Sequence, residues 1–336
     1  MENKRIGNQT VKLTNPIYIN STYSIVGPKE SEGPLAKYFD NSVQDAFYGE
    51  QSWEKAESKF CLSSINGCIA KSKIPVSDFE YILAGDLLNQ CTSSSFAIRE
   101  TNIPFIGLFG ACSTIIEGLA VGSMLIDGGM ANNIVCSTSS HFCSAEKQFR
   151  FPLELGNQRA PSSQWTVTGS ASAIISNKGN GPKITHTTIG KIVDMGITDA
   201  NNMGAAMAPA AINTLKAHFE DTGRKPDYYD LIVTGDLGYI GHQIVIDSLK
   251  ADDYDLNNNY TDCGILIFDK EKQDTHSGGS GCACCGTVLA GYLFNKLQNK
   301  EINKLLIVGT GALMNATTCQ QSESIPGIAH AIAIEN

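Results

Sequence analysis

Charge is scarce in this chain. Only 18% of its 336 residues are Asp, Glu, Lys or Arg, against roughly a quarter in an average soluble protein. Little surface chemistry implies a large buried interior, with a subunit interface covering part of the remainder. Proline is thin, at 11 residues, which excludes Pro-rich linkers and argues against disorder. A basic surplus is missing too: 25 Lys and Arg stand against 34 Asp and Glu, for a net charge of −9. Phosphate neutralisation needs the opposite balance, so no nucleic-acid partner is expected. Residues 1–10 carry no apolar leader core and no cleavage site. The longest apolar run, 105–126, is broken by Glu117 and several Ser, Thr and Gly residues, so it reads as a buried helix rather than a membrane span. No His-x-x-x-His occurs. The eleven cysteines lie mostly in apolar segments, as at Cys61, Cys68, Cys112 and Cys136, where reduced buried thiols belong. The cluster Cys282, Cys284 and Cys285 suits a helix start better than a zinc knuckle, so no metal and no cofactor is expected.

What is present is a duplication. Glu80-Tyr-Ile-Leu-Ala-Gly-Asp-Leu87 aligns with Asp230-Leu-Ile-Val-Thr-Gly-Asp-Leu237 at an offset of 150. Ala111-Cys-Ser-Thr114 aligns with Ala283-Cys-Cys-Gly286, and Ile134-Val-Cys-Ser-Thr138 with Leu306-Ile-Val-Gly-Thr310, both at an offset of 172. The second half therefore carries a net insertion of 22 residues, expected between Asp252 and Asp274. Each half reads helix, strand, helix, strand, with the leading helices at Glu54–Ser72 and Met207–Thr222. Short apolar strands alternating with helices imply an α/β fold with mainly parallel sheets covered on both faces. The segments 112–127 and 282–298 then fall side by side as central helices. Asn177-Lys-Gly-Asn-Gly-Pro182 is a turn-rich break that divides the chain into halves 1–180 and 181–336. Trp165–Ser176 reads as the strand before it and Ile184–Val193 as the strand after it.

Cys112 is the leading candidate for chemistry. It follows a strand ending in glycine and opens a helix, where the helix dipole and unpaired N–H groups favour a thiolate. That is where an acyl-accepting nucleophile belongs, although a small residue packed at a tight turn reads the same way.

Gly110-Ala-Cys-Ser-Thr114 resembles the nucleophile segment of thiolases and ketoacyl synthases, and Gly278-Gly-Ser-Gly281 their second glycine-rich helix start. Gly309-Thr-Gly311 matches their glycine-rich strand end. The likeness is closer still to the stage V sporulation protein AD family, over nearly the whole chain. It is carried by Gly27-Pro-Lys-Glu30, Leu83-Ala-Gly-Asp-Leu-Leu-Asn-Gln90, Leu108-Phe-Gly-Ala-Cys-Ser-Thr114 and Thr138-Ser-Ser-His141. Further matches are Ala145-Glu-Lys-Gln-Phe-Arg150, Met207-Ala-Pro-Ala-Ala211, Gly278–Cys284 and Gln321–Ile328. The resemblance implies a layered αβαβα, thiolase-like fold and a homodimer. It also implies binding of dipicolinic acid (pyridine-2,6-dicarboxylate), free or as its calcium chelate. The protein would support uptake of that acid into the developing spore from the periphery of the spore inner membrane, beside membrane-embedded stage V sporulation partners.

The catalytic pattern of thiolases is incomplete here. His276 sits in Thr275-His-Ser-Gly-Gly-Ser-Gly281, without the proline and with altered spacing. An Asn or His at a strand end is replaced by Asp236, and the second cysteine by Ile307-Val308. A Claisen condensation needs a base and donors for the thioester oxygen, so a non-enzymatic binding site is the preferred reading. The alternative is an acyl-transferring enzyme with Cys112 as nucleophile and His276 or His141 as partner. Candidate ligand residues are Cys112, Ser113 and Ser280 at the two helix starts, and Asp86, Asn89 and His141 at strand ends. Arg150 is the leading cation, with Lys147 and Arg159 as further sources of positive charge. His242 reads as a surface helix start, and His186, His218 and His330 as structural or exposed.

Overall fold

The structure is a computed structural model that describes residues 4–149, 159–256 and 259–336. Each half contributes five principal strands. The first supplies β2 (Thr10–Val26), β4 (Tyr81–Gly85), β5 (Phe105–Gly107), β6 (Asn133–Ser140) and β8 (Gly169–Ser176). The second supplies β9 (Lys183–Thr188), β10 (Leu231–Thr234), β11 (Tyr260–Asp262), β13 (Lys304–Ala312) and β14 (Gly327–Glu335). Short strands β1 (Arg5–Ile6) and β3 (Asn41–Ser42) fringe β2, while β7 (Trp165–Thr166) pairs with β12 (Gly279–Ser280) in a separate ribbon. The strand order is β11-β10-β13-β14-β9 in one half and β5-β4-β6-β8-β2 in the other, joined at β9 and β2. Both halves therefore follow the same path, third-second-fourth-fifth-first, which bears out the duplication read from the repeat.

Three sequence expectations need correction. The sheets are mixed, not mainly parallel: β4 is parallel to β5 and β6, but β6–β8 and β8–β2 are antiparallel, and the second half repeats this pattern. Periodicity reports burial on two faces, which fits either direction once helices cover the sheet. The segment 165–176 is broken at Val167-Thr168, because β7 leaves the main sheet to pair with β12. The extra chain overlaps the expected 252–274 but runs past it: most of it lies between β11 and the next central helix, over 263–281, where it builds α7 (Cys263–Ile267) and β12.

The helices form the other layers. α1 (Trp53–Ser72) and α2 (Thr92–Ile98) cover the outer face of the first sheet, α5 (Met203–Thr222) and α6 (Gly238–Ala251) that of the second. α1 starts cleanly because the Ser52 side chain accepts from the Lys55 N–H. In the middle lie α3 (Thr114–Asp127) and α8 (Cys282–Thr287), the latter continuing through a wide turn to Gln298. Ile115, Ile116 and Leu119 of α3 share one core with Cys284, Val288 and Leu289 of the second central helix, all essentially dry. Burying an aliphatic side chain of this kind contributes about 1.5–3 kcal/mol. The expected five-layer α/β arrangement with adjacent central helices is what the molecule has. The strand at 134–138 is interior: β6 lies between β4 and β8, and β5 is the exposed edge of that half.

Candidate functional site

The start of α3 is built for close approach. Ala111 takes φ 48°, a left-handed value that costs a non-glycine residue about 1–2 kcal/mol, and so reverses the chain between β5 and α3. Ser113 Oγ donates to the Gly110 carbonyl at 2.6 Å, and Thr114 Oγ1 to the Ala111 carbonyl at 2.6 Å, which holds the turn shut. The end of β13 packs directly on it: a Cβ at Gly311 would lie 2.3 Å from the Gly110 carbonyl oxygen, so no other residue fits there. The start of α8 is set from the first half. Gly281 has φ 98°, and Ser140 Oγ at the end of β6 accepts the Ala283 N–H at 3.0 Å.

Between these helix starts Cys112 meets Asp236, at the end of β10. The Asp236 carboxylate is fully buried. It accepts from Thr310 Oγ1 at 2.7 Å, Ser280 Oγ at 2.9 Å and the Gly281 N–H at 3.0 Å. The Cys112 thiol lies within the electrostatic reach of this carboxylate. Burial raises the Asp236 carboxyl above its ordinary range. Burial first, and the Asp236 charge second, raise the Cys112 thiol well above its own. The helix-dipole argument for a thiolate is overturned: one turn of dipole is outweighed by desolvation and an adjacent acid.

Cys112 opens onto a narrow cleft of about 470 Å³ of atom-free space, its mouth included. Phe109, Phe149, Met203 and Met314 supply apolar walls; Ser280, Thr166 and Glu146 supply polar groups. Of the residues singled out in the sequence, Cys112 and Ser280 line it. Ser113 is buried behind it and spends its hydroxyl on Gly110. Asp86 is turned into its own half, where it accepts from the Leu88 N–H at 2.9 Å and from Ser94 N–H and Oγ at 2.8 and 2.7 Å. Asn89 is solvent-exposed at the turn before α2, its N–H donated to Gln148 Oε1. His141 points away: Nε2 reaches the Ala46 carbonyl at 2.9 Å, Nδ1 accepts the Cys143 N–H at 3.1 Å, and burial lowers its pKa. His276 faces another wall, with Nδ1 2.7 Å from the Ala160 carbonyl and Nε2 2.9 Å from Asp274. His242 stacks on Tyr260 at 4.5 Å. Neither proposed histidine partner therefore reaches the thiol.

The expected cations fare no better at the cleft. Lys147 is exposed and pairs with Glu54 at 2.6 Å, and Arg150 lies outside the described residues. Arg159 sits beside Trp165, with its Nη1 donated to the Asp274 carbonyl. No Lys or Arg lines the cleft among the described residues. Sequence reasoning missed the wall on α4 (Phe142–Phe149). The spacing of Ala145, Glu146 and Phe149 along one helical face could have revealed it.

Glycine-pinned helix starts meeting at a cysteine define the synthase-type thiolase fold, and solved structures agree. The chain matches 3-oxoacyl-[acyl-carrier-protein] synthase III from Aquifex aeolicus VF5 with a TM-score of 0.57 at 10% identity, covering 95% of this chain and 100% of that one. A variant of Xanthomonas campestris OleA matches with a TM-score of 0.61 at 9% identity, over 97% and 100% of the two chains. These likenesses establish the fold. The family model of stage V sporulation protein AD (SpoVAD) matches residues 7–335. Stage V sporulation protein AD of Bacillus subtilis (strain 168) is 44% identical over 332 residues, 99% of this chain and 98% of the relative. The chain belongs to the SpoVAD family.

Proposed function

We propose that this sporulation protein binds dipicolinic acid without chemically changing it. In this reading it supports uptake of the acid into the developing spore, from the periphery of the inner membrane and beside membrane-embedded partners. The observation that carries the non-enzymatic part is the buried Asp236 carboxyl, whose charge acts on the buried Cys112 thiol. An acyl-accepting cysteine needs a neighbour that takes its proton and then stabilises its charge. Here burial, and then the Asp236 charge, raise the Cys112 thiol and so disfavour the anion that would follow. The narrow apolar cleft suits a flat ring. Among the described residues no helix is long and apolar enough to cross a membrane, in keeping with a peripheral role. The same reading pairs two copies through the exposed edge of β5, where Phe105 and Phe109 stand 37% and 45% exposed.

Calorimetric titration of the purified chain with dipicolinate, with and without calcium, tests the proposal. Saturable binding that survives Cys112→Ser and is lost in Cys112→Trp is the expected result. Stable acylation of Cys112 on incubation with an acyl-CoA, read by peptide mass spectrometry, would overturn it in favour of acyl transfer.

A further inference from the structure

α4 is the wall of the Cys112 cleft that carries Ala145, Glu146 and Phe149. Ser144, beside them on the same helix, is buried and meets Glu57 of α1, which is 1% exposed. Glu57 Oε2 lies 2.6 Å from Ser144 Oγ, and Glu57 Oε1 lies 3.2 Å from Ser139 Oγ of β6. Ser144 Oγ is also 3.1 Å from the His141 carbonyl oxygen, which accepts the Ala145 N–H at 3.0 Å in the first turn of α4. A serine hydroxyl has one proton to give, and here two acceptors face it. A proton on Glu57 Oε2 satisfies both: Glu57 donates to Ser144, Ser144 donates to His141, and Ser139 donates to Glu57 Oε1. Without that proton Ser144 turns to the carboxylate. The first turn of α4 then loses a bond, and a charge is left in a dry interior.

We propose that Glu57 is a positioning residue for the ligand cleft: its proton, relayed through Ser144, holds α4 in the ligand-binding position. The inference rests on the dipicolinate reading for its ligand and goes beyond it by tying binding to a proton. α4 is the element that gives way. β6 is interior to its sheet and α1 runs for 20 residues, whereas α4 has 8 and exposes Lys147. The groups around Glu57 favour its neutral form. Asp86, buried in the turn after β4, opposes a second charge; burial first and Asp86 next raise Glu57 to about 8, and burial raises Asp86 as well. Cys61 of α1 and Cys282 of α8 stay neutral thiols, because burial raises both. His141, at the head of α4, stays neutral because burial lowers its pKa. Glu54 and Lys147 pair with each other on the exposed side, and Glu146 faces the cleft. Among the described residues no Lys or Arg lies within ion-pair distance of Glu57. Since the protonated form is the binding form, affinity is full below the Glu57 pKa and is lost as pH climbs through about 8.

The test compares the full chain with Glu57→Gln, whose amide can donate to Ser144 at every pH. Dipicolinate, with both carboxyls ionised, is titrated by calorimetry at pH 6.5 and pH 9. The parent is expected to bind about five- to ten-fold more weakly at the higher pH, and Glu57→Gln to show a ratio near one. Near pH 8, titrations in buffers of different ionisation enthalpy should show proton uptake on binding by the parent and none by the variant. A merely structural role would shift affinity equally at both pH values. Without ligand, the same two proteins are read by amide exchange of 142–149, corrected for the intrinsic rate. Protection should fall between pH 6.5 and pH 9 in the parent only. A pH ratio shared by both proteins, or α4 protection that stays constant in the parent, overturns the proposal and leaves the dipicolinate reading standing. No saturable heat at either pH overturns the dipicolinate reading; α4 protection lost in the parent alone then still supports the proton switch, and its constancy overturns that too. Should Glu57→Gln melt early, Ser144→Ala cuts the relay and keeps the acid. It is expected to bring the affinity ratio within about two-fold of one, and a ratio as large as the parent's overturns the proposal.

Discussion

Asp86 and Asp236 occupy the same place in the two halves, one residue after a glycine that ends the second strand of each sheet. Both are wholly buried and both accept at least three hydrogen bonds. Their partners differ in kind. Asp86 bonds Leu88 and Ser94, so it only folds its own strand-to-helix connection. Asp236 bonds Thr310 of β13 and Ser280 and Gly281 at the start of α8, and its charge acts on Cys112 of the other half. The cause is the extra chain in the second half: it builds β12 and delivers Ser280 and Gly281 to the Asp236 side chain, whereas the first half has no counterpart. Duplication supplied two equivalent acids, and an insertion made one of them the centre of the molecule.

The largest effect expected from this comparison is on stability. Asp236→Ala strands the buried Thr310 and Ser280 hydroxyls and the Gly281 N–H, each worth roughly 1–3 kcal/mol when unsatisfied. A total loss of about 3–5 kcal/mol is expected in urea unfolding. Asp86→Ala should cost less, because its partners are confined to one turn that can relax towards solvent near the exposed Asn89. Equal losses would break the comparison.

A second test reads the site rather than the fold. Asp236→Asn keeps the shape but removes the charge that raises the Cys112 thiol. Alkylation of Cys112 by iodoacetamide, followed by peptide mapping, should then quicken several-fold and shift to lower pH. Asp86→Asn should leave Cys112 as slow as before. Acceleration by both variants would mean that the effect is general loosening and not the loss of one neighbour.

The buried acids also set a pH dependence. Burial raises Glu57 to about 8 and Asp262 to about 7, well above ordinary carboxylates. A group protonated in the fold but ionised in the unfolded chain gives its full stability below pH 4 and loses it as pH climbs through the folded value. Melting temperature should therefore fall from pH 5 towards pH 8.5. Glu57 accepts from Ser139 and Ser144, and Glu57→Gln keeps an acceptor oxygen with no proton to lose. That variant should melt a few degrees higher than the parent at pH 8.5 and show a flatter profile. A stability that rises with pH over this range would refute the assignment.

Much of the fold was legible. The matched segments around Asp86 and Asp236, and around Cys112 and Cys284, carried the duplication, and their order fixed which helices lie at the centre. Strand direction was not legible, since a strand buried on both faces shows the same apolar run whether its neighbour is parallel or antiparallel. Position 167 hid a break for a similar reason: Val167 is buried like its neighbours, and only the distant partner Gly279–Ser280 reveals that β7 belongs elsewhere. At the site, Cys112 and Ser280 could be found because glycines mark the helix starts they occupy. The destinations of Asp86, His141 and His276 could not, because each is decided by a backbone group far along the chain or by a side-chain turn of a few ångströms.

The smallest effect is expected at Lys147. If the polar groups of the first half serve mainly that half, Lys147 belongs with Asp86 and not with Asp236. Its Nζ meets Glu54 Oε1 at 2.6 Å, joining α4 to the start of α1, both within the first half. The lysine side chain is 54% exposed and the glutamate 31%, so water and salt screen the pair and its worth is about 0.2–1 kcal/mol. Lys147 follows Glu146 on α4 but lies off the face that presents Ala145, Glu146 and Phe149 to the cleft. Lys147→Ala should therefore leave dipicolinate affinity within two-fold of the parent, estimated as about 0.4 kcal/mol, and lower stability by less than about 1 kcal/mol. The same substitution should lose even that stability cost in high salt. A drop in affinity of ten-fold or more would place Lys147 in contact with the ligand and remove it from the structural pairs of the first half.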